Sequence, residues 1–201
     1  MSESVWDRYD GSAKHAIFIA QTEAQRMKYD FILPEHLLIG ILTDKKSPAC
    51  AVIRTIGLNA EDILARAKEM SAPGKSSNSS EIALSKACKR IVDHALLDAD
   101  RVAHHHITTG HLLIGILGAG ERILLFRAQN DNLARQILHE FGVTLALAQK
   151  ALLKFDSTNL LRASSKPDHD NNLLRPFDGK ADRDSDSLLI STSIPNDVKQ
   201  N

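Results

Sequence analysis

The heptapeptide His36-Leu37-Leu38-Ile39-Gly40-Ile41-Leu42 returns unchanged 75 positions later as His111-Leu112-Leu113-Ile114-Gly115-Ile116-Leu117. The same register holds upstream of it: Lys14 matches Lys89, Ala20 matches Ala95, Ala24 matches Ala99, Arg26 matches Arg101 and Ile32 matches Ile107. A chain with two such copies must fold as two like units, because one supersecondary unit repeated in sequence repeats in space. Downstream the register slips. Ile56-Gly57-Leu58 corresponds to Phe141-Gly142-Val143, so the second copy holds about ten extra residues within 118–130.

Each copy reads as four helices. In the first copy Ser12 is a candidate cap for a helix reaching Lys28, with Ala16, Ile19, Ala20, Glu23 and Ala24 at helical spacing. Pro34 suits the first turn of a second helix that ends near Thr43, and Glu35 there complements the helix dipole. A third helix runs over 48–56 and stops at Gly57, and a fourth is capped by Asn59 and ends near Met70. In the second copy the corresponding spans are 82–102, 109–117, 131–140 and 144–155, and the insertion suggests a short extra helix over 121–128. Residues 71–80 read as a flexible linker, and 156–201, rich in Ser, Asp and Asn, as a disordered tail with one short apolar stretch over 188–194. The domain boundaries expected are repeat one over 7–70, repeat two over 81–155 and the tail thereafter, in an all-α fold with pseudo-twofold symmetry.

Composition narrows the function. Among 201 residues, 25 basic and 25 acidic side chains cancel, which excludes a generally basic nucleic-acid binder. Hydrophobic residues make up 43% and aromatics only 4%, a balance that favours helices over a β-sandwich. No apolar run approaches the roughly 20 residues of a membrane span, and residues 1–10 lack the apolar core of a secretory signal. Cys50 and Cys88 sit among helix formers and read as buried thiols in a reducing, cytoplasmic setting rather than as a disulfide.

The doubled unit, with a second helix opening on x-x-His-Leu-Leu-x-Gly-x-Leu, resembles the Clp N-terminal (Clp repeat) domain that precedes the ATPase modules of Clp/Hsp100 unfoldases. The resemblance covers 7–155 and is most specific at Leu33-Pro-Glu-His-Leu-Leu-Ile-Gly-Ile-Leu42. It marks His36, Gly40, His111 and Gly115 as the structural positions of the repeated motif. The chain reads as a free-standing domain, since several hundred residues of ATPase are absent from it. Gly74-Lys75-Ser76 is the sole trace of a phosphate-binding loop; Glu69 stands where that motif needs its first glycine, and no strand is expected before it.

Glu35 is the candidate ligand-binding residue. The resemblance implies that the Glu of a Thr-Glu-His motif, as in N-domains of the ClpC type, helps to bind phosphorylated arginine on substrates. A carboxylate suits guanidinium donors, and backbone N–H groups at a helix start suit phosphate. Pro34 replaces the Thr of that motif in copy one, and Gly110 replaces the Glu between Thr109 and His111 in copy two. His36 and His111 are placed to bond a backbone group and hold the start of their helices. His104-His105-His106, with His94 and His111 nearby, lack the Cys or carboxylate pattern of a zinc site. No nucleophile constellation accompanies Cys50 or Cys88, and Gly-x-Ser-x-Gly does not occur. No catalytic residue, metal or cofactor is therefore expected. The apolar residues of the two motif helices are expected to form the core between the copies, and Ile123-Leu124-Leu125-Phe126 to help close it.

The resemblance implies a non-catalytic protein-binding module, an adaptor or modulator of a Clp unfoldase–protease system or a binder of its substrates. Its expected partner is a Clp ATPase, an adaptor or a protein substrate, with no nucleic acid or membrane involved. A modified-residue sensor built on Glu35, and a truncated remnant of a Clp ATPase subunit, are the alternatives.

Overall fold

The computed structural model describes residues 5–74, 82–119 and 132–164. The expected helix over 121–128, the apolar run Ile123–Phe126, most of the linker and the stretch over 188–194 lie outside the described residues.

A short 3-10 turn, Val5–Arg8, leads into α1 (Gly11–Arg26). Strand β1 (Phe31–Ile32), α2 (Pro34–Thr43), α3 (Pro48–Thr55) and α4 (Ala60–Met70) complete copy one. Copy two repeats that order as β2 (Ala83–Leu84), α5 (Lys86–Arg101), α6 (Thr109–Gly118), α7 (Leu133–Glu140) and α8 (Leu145–Ser164). The start of α1 departs from the sequence reading. Asp10 is its cap, accepting from the Ala13 N–H at 2.7 Å, while the Ser12 hydroxyl donates to the Asp10 carboxylate at 2.8 Å. The anionic acceptor two residues earlier is the stronger cap. In copy two the helix begins at Lys86 rather than at Ile82, because Ala83–Leu84 pairs in parallel with Phe31–Ile32 and Ser85 then caps through the Cys88 N–H. The last helix continues to Ser164, nine residues past the Phe155 expected from the sequence.

Both α1 and α5 end without glycine. Lys28 (φ 62°) and Ala103 (φ 57°), equivalent positions, take the left-handed conformation and pass their chains on through Tyr29 N–H to Ala24 O and His104 N–H to Ala99 O, both at 2.9 Å. Gly57 (φ 91°) and Gly142 (φ 76°) do the same for α3 and α7 in the way glycine normally does.

All of α2 from Pro34 to Leu42, and all of α6, is buried, so these helices, apolar on every side beyond their first turns, form the centre of the molecule. Their coverings are symmetric: α1 lies on α2 and α5 on α6. Helix α3 crosses to α6 and α8, and α7 crosses back to α2 and α4. Each copy therefore completes the other's core, and Leu37, Leu38, Ile41, Leu112, Leu113 and Ile116 are all fully buried within it. The crossings of α1 on α2 and of α5 on α6 depend on Gly40 and Gly115. A Cβ on Gly40 would press into the Ala16 carbonyl oxygen and lie 3.2 Å from the Ala20 nitrogen. A Cβ on Gly115 would meet the Ile91 carbonyl oxygen and the Ala95 nitrogen in the same way. Among the described residues the fold is thus all-α apart from one two-residue strand pair and an isolated bridge between Tyr9 and Ile107.

Candidate functional site

The first turns of α2, α5 and α7 converge on a cleft of about 380 Å³, with Leu33, Pro34 and Glu35 on one side, Ser85 and Lys86 on another, and Leu133 closing the third. Pro34 forces the chain to enter α2 with Leu33 extended, and this turns Glu35 into the cleft mouth. Glu35 is only 8% exposed. Burial raises the pKa of its carboxyl group above the ordinary value, while a hydrogen bond from its own backbone N–H partly lowers it. No ion pair from Glu35 to another side chain occurs among the described residues. Lys86, at the first position of α5, is exposed on the opposite wall.

The two motif histidines close the starts of their helices. His36 Nδ1 accepts the Leu33 N–H at 3.2 Å, the returning half of a capping box whose other half leucine cannot supply. His111 Nδ1 accepts the Thr108 N–H at 3.0 Å. Each proton then sits on Nε2. In copy two that Nε2 faces His104 Nδ1 at 3.0 Å, whereas in copy one His36 Nε2 is buried with no hydrogen-bond partner among the described residues, against the edge of Tyr29, the residue equivalent to His104. Burial pushes both motif histidines down to about 4. His105 and His106 meet edge to face, and no group of three side chains placed to hold a metal ion occurs among the described residues.

The place in copy two that corresponds to the Glu35 cleft is filled. Thr109, 1% exposed, accepts the Ala49 N–H at 3.1 Å and so ties α6 to α3. A Cβ on Gly110 would come within 2.7 Å of Leu152 Cδ1. A second cleft, about 180 Å³ between α5, α6 and α8, holds Asp98, but that carboxylate is already taken by Arg101 at 2.8 Å and Gln149 at 2.9 Å. Neither thiol is poised for chemistry. Burial raises Cys50 and drives Cys88 up to about 12. Gly74 is also accounted for: its N–H donates to the Met27 carbonyl at 2.7 Å, and a Cβ there would collide with the Lys28 backbone, so its amide is not turned toward a phosphate. Sequence reasoning reached Glu35 but missed Lys86, Ser85 and Leu133. The signal for the first two was Ser85 three residues before Cys88, a helix cap hidden by the apolar residues Ile82–Leu84 that pointed to an earlier start.

The sequence matches the Clp repeat (R) N-terminal domain over residues 8–127. The chain belongs to this family. Among relatives of this Clp N-domain, the chloroplastic chaperone protein ClpC2 of Oryza sativa subsp. japonica is 26% identical over 149 residues, which are 72% of this chain and 16% of that protein. This Clp N-domain chain thus spans only a small part of the relatives it matches. Among solved structures, the N-terminal domain of ClpD from Arabidopsis thaliana is similar with a TM-score of 0.57 at 19% identity, covering 78% of this chain and 99% of that one. A ClpV N-domain in complex with a VipB peptide is similar with a TM-score of 0.51 at 17% identity, covering 71% and 90%. No helix among the described residues of this Clp N-domain is long and apolar enough to cross a membrane.

Proposed function

We propose that this Clp N-domain is a non-catalytic protein-binding module, an adaptor or modulator of a Clp unfoldase–protease system or a binder of its substrates. The observation that carries the reading is the Glu35 cleft, a concave, solvent-reachable site at the junction of the two copies with one buried carboxylate. The ClpV N-domain, of the same fold, is found with a VipB peptide. The partner of this chain is accordingly a Clp ATPase, an adaptor or a protein substrate. Crosslinking in cells followed by identification of the captured proteins tests this. A Clp subunit, adaptor or unfolded substrate captured by the native chain and lost with Glu35→Gln is the expected result, and an identical capture list for both overturns the role of the cleft.

A second reading is favoured by the state of Glu35 itself. A carboxylate kept buried without a cationic side chain beside it is matched by a cation that arrives with the ligand. A phosphorylated arginine on a protein partner supplies one. Calorimetric titration with free phosphoarginine is expected to give saturable heat that Glu35→Ala abolishes, and a heatless titration of the native chain dismisses this version.

A further inference from the structure

We propose that Lys86 is the second recognition residue of the Glu35 cleft, and that the cleft takes a group carrying a cation directly beside an anion, at one site per chain. The proposal rests on the reading of Glu35 as a recognition carboxylate and adds to it a partner residue from the other copy and a stoichiometry.

The first support is that the cleft holds two opposite charges which do not neutralise each other. Glu35 comes from copy one and Lys86 from copy two, they line the same cleft, and no ion pair joins them. Opposite charges held apart across a cleft fit a ligand of the reverse polarity. Its cation meets the carboxylate, and its anion meets the ammonium and the start of the α5 dipole beside it.

The second support is the pseudo-symmetry. The 75-residue register places Gly110 where Glu35 stands and Gly11 where Lys86 stands, so both charges are missing together from the pseudo-symmetric counterpart of the cleft, between the starts of α6 and α1. Helices α6 and α1 nevertheless form with the same lengths as α2 and α5, 10 and 16 residues, so neither charge is required to build these helix starts. The space is also gone. Leu152 lies against Gly110, whereas the downstream register puts the small, buried Ala67 at the position of Leu152 in copy one. A charge pair present only where there is room for a ligand, and absent where a leucine fills that room, is a binding device rather than a scaffold.

The test is calorimetric titration of the full chain with phosphoarginine, comparing the native protein with Lys86→Gln, Lys86→Arg and Glu35→Gln, alongside thermal unfolding of each. The expected result is one site per native chain, about a tenfold loss of affinity with Lys86→Gln at an unchanged melting temperature, and recovery of most of that loss with Lys86→Arg. Native-like binding by Lys86→Gln, or two sites per native chain, overturns this proposal and leaves the role of Glu35 standing. Binding unaffected by Glu35→Gln, or no binding by the native chain, overturns both.

Discussion

Replacing Gly40 by alanine is expected to destabilise the domain by about 3 kcal/mol or more, and Gly115→Ala by a similar amount. Helices α1 and α2 approach so closely that the added methyl group would be driven into the Ala16 backbone carbonyl, and at Gly115 into that of Ile91. A flexible side chain can swing away from such a contact, but a carbonyl inside a helix cannot move without its whole turn. That turn is held on its buried face by Ala13, Ala16 and Ala20, none more than 3% exposed. The control is Gly11→Ala, where the new methyl group meets nothing within 4 Å and the change should stay within about 0.5 kcal/mol. Urea unfolding of the three variants checks this, and a Gly40→Ala protein as stable as Gly11→Ala would remove the close crossing as the reason for the motif glycine.

The second large effect is acid sensitivity. His36 and His111 are buried and neutral, and burial pushes each down to about 4 from the ordinary 6.5. Between those values the unfolded chain binds two protons that the folded chain refuses, so stability falls as the pH drops from about 6.5 toward about 4, by roughly 1 kcal/mol per pH unit for each histidine. Above that window both states are neutral and stability is flat with respect to these groups. Glu35 and Asp156, whose carboxyl groups are raised by burial, take up protons more readily when folded and make the acid end of the fall shallower. Urea midpoints measured from pH 7.5 down to pH 4.5 should show the decline beginning near neutral pH. An unchanged midpoint between pH 7 and pH 5 would mean that the two imidazoles are not held neutral.

How much of the site could be read beforehand differs from residue to residue. Glu35 was legible because Pro34 marks the start of α2, and the sequence position of a helix start is local information. The end of α1 was not, because Lys28 adopts the left-handed conformation without being glycine, leaving no mark in the residue type. The sequence reading put the cap of α1 at Ser12, and the observed hydrogen bonds put it at Asp10. Lys86 was hidden for a tertiary reason. Ala83–Leu84 became a strand because Phe31–Ile32, some fifty residues away, offers it a partner, and this shifted the start of α5.

The residue order alone determined that the chain is a duplication of four helices with a motif helix central in each copy. Apolar periodicity, prolines and capping residues act within a few positions of themselves, and an identical heptapeptide must meet the same physics twice. Only the packing of the copies decided that a cleft stays open at one of the two related places and is filled at the other. The open cleft exists where α2, α5 and α7 meet around Glu35 and Lys86. Its counterpart is closed by Leu152 and by the bond from Ala49 to Thr109. A void is the volume left over by several distant side chains at once, so no local pattern in the chain announces it.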